Sequence, residues 1–152
     1  MKIIVTSMVR LPNLKIDEPH IVISVSEPEV GFVEYESPML LDRLYLLFDD
    51  IDRPGKWNNR PGVMMTEEQA HDIWNFVEKW DKKANTIVCQ CYAGVSRSAA
   101  IAASIAKCYQ GKAQYEAYFN TPQYDPNEHV VRTLLEIKGL AHTVDFNDRR
   151  RW

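Results

Sequence analysis

The chain has 152 residues, 45% of them hydrophobic and 26% charged, with a formal net charge of −3. This is the composition of a soluble globular domain with one core, and it is short for two. The charge excludes a blanket attraction to nucleic acid or anionic membrane, and no apolar run approaches the length of a membrane span.

The opening segment MKIIVTSMVRLPN carries an apolar run too short for a secretory signal, and Arg10 interrupts it. Residues 2–5 read as a first strand, 21–25 as a second and 44–48 as a third, each short and rich in apolar or β-branched residues. Their centres are apolar on both faces, which predicts a sheet covered on both sides. Residues 49–65, DDIDRPGKWNNRPGVMM, contain Arg53-Pro54-Gly55 and Arg60-Pro61-Gly62 and read as a long loop. Loops of that length in a compact domain are often functional, and Arg53 and Trp57 are candidates for substrate contact.

Thr66-Glu67-Glu68-Gln69 is a capping box, with Thr66 as N-cap. Behind it Ala70, Ile73, Trp74, Val77 and Trp80 share one helical face. A fourth strand spans 86–90, and an alanine-rich helix over 98–110 stops at Gly111. A short helix is predicted over 113–119. Another starts near Asn127, buries Val130, Val131, Leu134 and Leu135, and ends at Gly139. Residues 1–139 then form one domain and 140–152 a tail, packed through Phe146 or Trp152, with Arg149, Arg150 and Arg151 in solvent. Strands followed by βα alternation predict an α/β sandwich around a mostly parallel sheet.

The three cysteines, Cys89, Cys91 and Cys108, are no disulfide framework, and a reducing cytoplasm is the expected setting. Neither they nor the four scattered histidines show metal-ligand spacing, so no metal or cofactor is expected. The stretch TIVCQCYAGVSRSAAIA places Cys91 where a buried strand gives way to a helix, with Arg97 beyond Tyr92, Ala93, Gly94, Val95 and Ser96. The spacing alone is weak; its context is informative. Strand ends of open α/β sheets bind ligands. Gly94 allows a tight bend with inward N–H groups. A helix starting after the loop aims its positive end into it. Together these favour a dianion and a thiolate on Cys91. Arg97 adds a planar fork for phosphoryl oxygens, and Ser98 a hydroxyl for the sulfur. The alternative is a buried core cysteine followed by a solvated arginine.

Cys91-Tyr92-Ala93-Gly94-Val95-Ser96-Arg97-Ser98 resembles the phosphate loop of cysteine-dependent protein phosphatases, the dual-specificity type in particular. Leu44-Tyr45-Leu46-Leu47-Phe48-Asp49-Asp50 resembles the strand and loop carrying that family's general acid. Asp125-Pro126-Asn127 resembles the segment whose asparagine braces the phosphate loop. The layout is similar to that of the compact bacterial and phage members. The resemblance implies a three-layer sandwich, with a central four- or five-stranded sheet flanked by helices.

It also implies a two-step reaction. Cys91 attacks phosphorus, Arg97 and the N–H groups of residues 92–97 hold the equatorial oxygens, and an aspartic acid protonates the leaving group. Ser98 stabilises the sulfur as it departs. Counting from Phe48 selects Asp50 as the acid, with Asp52 and Asp49 as alternatives. Asn127 serves as brace and as helix N-cap. Cys89 is expected to pack in the core.

Two departures stand out. Gln90 replaces the histidine that usually precedes the cysteine, so weaker activation of Cys91 is expected. The loop also has no lysine, which argues against inositol lipids. The expected activity is phosphomonoester hydrolysis by a monomer, on a phosphorylated protein or small phosphomonoester, with phosphotyrosine as the first test substrate. The alternatives are a phosphate-binding module with little turnover and a thiol-based reductase or sulfur-transfer enzyme.

Overall fold

A computed structural model describes residues 1–141. The tail residues Phe146, Arg149, Arg150, Arg151 and Trp152, and with them most of the segment 140–152, lie outside the described residues.

The four predicted strands form β1 (Lys2–Ser7), β2 (His20–Ser26), β3 (Leu40–Leu47) and, after the loop and first helix, β6 (Thr86–Cys91). They make one four-stranded sheet in the order β1-β6-β2-β3, and every pair is parallel. β6 and β2 occupy the centre, and every residue of both is buried. That placement carries Cys91 to the carboxyl edge of the sheet with a strand on either side.

β3 departs from expectation twice. It begins at Leu40, because Leu40, Asp42 and Arg43 pair with His20, Ile21 and Val22 across a bulge. Charged residues at that end hide the strand from a search for apolar runs. It is also an edge strand with Tyr45 and Leu47 exposed, so the sheet is not covered on both sides there.

α1 (Glu67–Trp80), α2 (Arg97–Tyr109), α3 (Lys112–Ala117) and α4 (Glu128–Ile137) pack as one layer, α2 against β6, β1 and β2 and α1 against β3. Small residues let α2 lie close to the sheet: Ala99, Ala100, Ala102, Ala103 and Ala106 are fully buried. The capping box of α1 forms as predicted, Gln69 N–H donating to Thr66 Oγ1 at 3.1 Å and Thr66 N–H to Gln69 Oε1 at 3.0 Å. Its buried face holds Ala70, Ile73, Trp74 and Val77, with Phe76 added. Trp80 is only half-buried, and its indole N–H reaches Asp42. Trp74 donates to the Leu134 carbonyl at 2.9 Å, locking α1 to α4. The chain leaves α4 through Gly139, whose φ of +69° is a helix-terminating conformation.

The opposite face of the sheet is covered by irregular chain. Leu11, in a single 3-10 turn at Leu11–Asn13, packs with Tyr35 on Val22 and Val88, and Leu14, Ile16 and Val33 surround them. His20, fully buried, sits beneath this layer with Nε2 2.7 Å from the Tyr35 hydroxyl.

The long loop has internal order that its composition concealed. β4 (Lys56–Trp57) and β5 (Arg60–Pro61) pair as a small antiparallel hairpin. Asn58 and Asn59 turn it with φ of +49° and +62°, the left-handed conformation asparagine tolerates best after glycine.

Candidate active site

Cys91 ends β6, 2% exposed. Its sulfur lies 3.1 Å from Ser98 Oγ and accepts the Gly94 N–H at 3.3 Å. Ser98 reaches it because α2 begins at Arg97 and turns its first residues back over the strand end.

The intervening loop is held from two sides. On one, Met8 N–H donates to the Tyr92 carbonyl at 3.0 Å, and Gly94 lies against the end of β1. Gly94 has φ of +71°, and a Cβ there would stand 2.8 Å from the Thr6 carbonyl carbon. Only glycine fits. On the other side, Asp125 N–H donates to the Val95 carbonyl at 3.0 Å and Asn127 N–H to the Ser96 carbonyl at 3.2 Å.

Arg97 is 3% exposed, which rejects a solvated arginine. Nη1 donates to the Phe48 carbonyl at 2.8 Å and Nη2 to Glu27 Oε1 at 3.3 Å. Its Nε–H and Glu27 Oε2 are both buried and find no partner among the described residues. A buried donor on a guanidinium is costly unless something accepts from it, and an oxyanion would.

The three candidate aspartates separate. Asp50 Oδ1 accepts from Ser96 Oγ at 2.7 Å and Asn127 Nδ2 at 2.9 Å, so this carboxyl is held against the loop that carries Cys91. Asp49 is fully buried and takes both arms of Arg60 at 2.8 Å, with the Val63 N–H at 2.6 Å. The hydrogen-bonded guanidinium holds its carboxyl below the usual range. Asp52 is in solvent, paired with Arg53 at 3.1 Å.

Asn127 bonds in three directions. Its Oδ1 caps α4 at the Val130 N–H, while Nδ2 reaches Asp50 and the Ile51 carbonyl. Its side chain therefore bonds to the 50–51 segment, and its backbone N–H to the Cys91–Arg97 loop.

No family model matches the chain, and no curated protein does. Solved structures do match. Human DUSP28 superposes with a TM-score of 0.59 at 14% identity, over 93% of this chain and 94% of that one. PTPMT1 in complex with PI(5)P gives 0.55 at 15%, over 93% of each. Human tyrosine phosphatase-like serine/threonine/tyrosine-interacting protein gives 0.54 at 20%, over 81% and 78%.

The fold is that of the dual-specificity phosphatases.

Within that phosphatase fold, Gln90 is 3% exposed, and its Nε2 donates to the Cys91 carbonyl at 3.0 Å while Oε1 finds no partner among the described residues. Tyr92 and Val95 stand exposed on the loop's rim. Ala93 completes the loop, which holds no cationic side chain before Arg97. Beside it an open cleft of about 470 Å³ runs between the 50–56 segment and Asn127 and Glu128, and Arg53 and Lys56 line it. Trp57 is half-buried in the hairpin and does not line that cleft.

Cys89 is fully buried on the helix side of the sheet, and burial pushes its thiol far up. Cys108 is half-buried and its thiol is also raised by burial. All three thiols are free. Among the described residues no group of histidine, cysteine or carboxylate side chains is placed to hold a metal, and no helix is long and apolar enough to cross a membrane.

Glu27, Glu29 and Arg60 join the site without a sequence signal. The one available clue is that Glu27 follows the carboxyl end of a buried strand, where ligand sites of parallel sheets lie.

Proposed function

We propose that the chain is a cysteine-dependent phosphomonoester hydrolase of the dual-specificity type, acting through a phosphocysteine. The observation that carries this reading is Arg97: a buried guanidinium with an unpartnered Nε–H, one residue from the Ser98 hydroxyl that touches the Cys91 sulfur. A charge so placed is stable only against anions, and a tetrahedral dianion suits its fork.

In the first step Cys91 Sγ attacks phosphorus and the bond to the leaving oxygen breaks, Asp50 supplying the proton. Arg97 and loop N–H groups from Tyr92 to Arg97 stabilise the equatorial oxygens. In the second, Asp50 takes a proton from water as the water oxygen attacks phosphorus. The P–S bond breaks, inorganic phosphate leaves, and Ser98 donates to the departing sulfur. Asp50 fits the acid role because its Oδ1 is held by Ser96 and Asn127, leaving Oδ2 as the oxygen for the proton. Asp49 is engaged by Arg60, and Asp52 lies in solvent.

Phosphotyrosine is the favoured test substrate, since aryl phosphates have good leaving groups and the rim offers Tyr92 and Val95. The complex of PTPMT1 with PI(5)P raises an inositol lipid as another substrate. The loop offers no cation before Arg97, and Arg53 and Lys56 share the adjoining cleft with Asp50, Asp52 and Glu128, which argues against a polyanionic headgroup. We place the protein in the cytoplasm as a monomer.

A phosphate-reading module with little turnover is the second reading. Gln90 favours it, because a glutamine stands where the family's histidine orders the loop, and one arm of its amide is unpartnered. Hydrolysis of p-nitrophenyl phosphate and a phosphotyrosine peptide by wild type and by Cys91→Ser decides between them. The hydrolase turns over both substrates and loses activity on substitution while still binding tungstate. A wild type that binds tungstate and turns over neither is the module.

A further inference from the structure

The loop carrying Asp50 is closed at its base. Asp49 N–H donates to the Val63 carbonyl at 2.7 Å, and Val63 N–H returns to Asp49 Oδ2 at 2.6 Å. Arg60 then inserts between two carboxylates. Its Nη1 and Nη2 take the two oxygens of Asp49 at 2.8 Å each, and Nη2 also takes both oxygens of Glu29 at 2.9 and 2.8 Å. Asn58 adds a bond to Glu29 at 3.1 Å. The hairpin is thereby tied to the segment that follows β2.

Asp49 lies between two groups the reaction uses. The carbonyl of Phe48 holds Arg97, and Asp50 is the next residue. Rotation at Asp49 displaces both. Asp49 is buried but Arg60 and Glu29 are partly exposed, so the cluster's net contribution to stability is modest. A bidentate guanidinium–carboxylate pair does fix an angle, since two parallel bonds leave no free rotation.

We infer that Arg60, clamped by Asp49 and Glu29, is a positioning residue that presets the acid loop so that Asp50 faces the leaving group. Arg60 touches no substrate in this account; it acts through the backbone of residues 48–50. The inference rests on the hydrolase reading. It adds that the acid is set by an ion-pair latch before substrate arrives.

The test compares two leaving groups. p-Nitrophenolate departs with little help, whereas phenolate needs a proton, so a misplaced acid shows as a selective loss on phenyl phosphate. For Arg60→Ala the loss of kcat on phenyl phosphate is expected to exceed that on p-nitrophenyl phosphate by about tenfold or more. Tungstate inhibition weakens by far less than the rate on phenyl phosphate falls, because Arg97 keeps its bond to Glu27 when the Phe48 carbonyl shifts. Arg60→Lys keeps the charge without the fork and retains most of the defect. Glu29→Gln shifts the substrate ratio in the same direction by less. Equal losses on both substrates, or a loss of tungstate affinity matching the loss of rate, overturn the inference while leaving the hydrolase reading intact. If Arg60→Ala does not fold, Glu29→Gln carries the comparison, and an unchanged ratio there overturns the inference. A wild type inactive on both substrates overturns the hydrolase reading and this inference with it.

Discussion

Arg97 and Glu27 meet at 3.3 Å at the carboxyl edge of the sheet, both more than nine-tenths buried. Each keeps a buried polar atom without a partner among the described residues, Nε on one and Oε2 on the other. The pair holds a cation at the mouth of β6 without using all of its donors.

Glu27→Ala leaves that cation buried and half-supported. The expected cost is about 3 kcal/mol of folding stability, at the lower end for breaking a buried pair. Because an oxyanion replaces the lost countercharge, tungstate should recover more stability in the variant than in wild type. Urea melts with and without tungstate measure both. Equal recovery in the two proteins excludes Glu27 as the anchor of Arg97.

Gly94→Ala tests the loop's geometry. The residue sits at φ of +71°, and its new Cβ meets the backbone of Thr6 and Ser7 at 2.8–2.9 Å. Strain and overpacking together should cost about 2–4 kcal/mol. Under the proposed function, turnover of p-nitrophenyl phosphate should fall with it, since the Gly94 N–H faces the Cys91 sulfur. A variant with wild-type melting would mean that the β1 end yields.

The thiols should differ in reactivity. Iodoacetate is itself an anion and is drawn to a cradle for anions, so Cys91 should be alkylated first and tungstate should protect it. Cys89, fully buried with its thiol pushed far up, should stay unmodified in the native protein. Peptide mapping after brief labelling reads the order. Label on Cys89 ahead of Cys91 would contradict it.

Asp49 makes stability depend on acid. Its folded-state carboxyl is depressed by Arg60, so its contribution is complete above the ordinary aspartate value of about 4. The contribution is lost as pH falls through the depressed value. Glu29 is depressed by the same arginine and adds to the same limb. Urea midpoints measured downward from pH 5 should therefore fall in wild type and fall less steeply in Arg60→Ala. Parallel acid limbs would show that the latch contributes nothing to stability.

Asp50→Asn should lower turnover of phenyl phosphate about a hundredfold or more, within the range for general acid catalysis, and Asp52→Asn should leave it unchanged. Steady-state rates on purified variants check both. A larger loss at Asp52 would move the acid role into solvent.

The sequence by itself determined the elements that rest on local pattern. Four apolar runs became the four strands of one sheet, and the Thr66–Gln69 box capped α1 as written. The Cys91–Arg97 loop was legible because strand, glycine and helix start are neighbours in the chain. β3 was read short because Asp42 and Arg43 interrupt its apolar run, and the small hairpin was missed because two-residue strands leave no period to detect. Only the tertiary structure separated the three aspartates. Asp49, Asp50 and Asp52 look alike in DDID, but one meets Arg60, one meets Ser96 and Asn127, and one meets solvent. The same holds for Glu27, which reaches Arg97 across 70 residues. Such pairings follow from β6 lying beside β2, with β3 on the far side of β2, and strand order is a property of the packed sheet that no local period encodes.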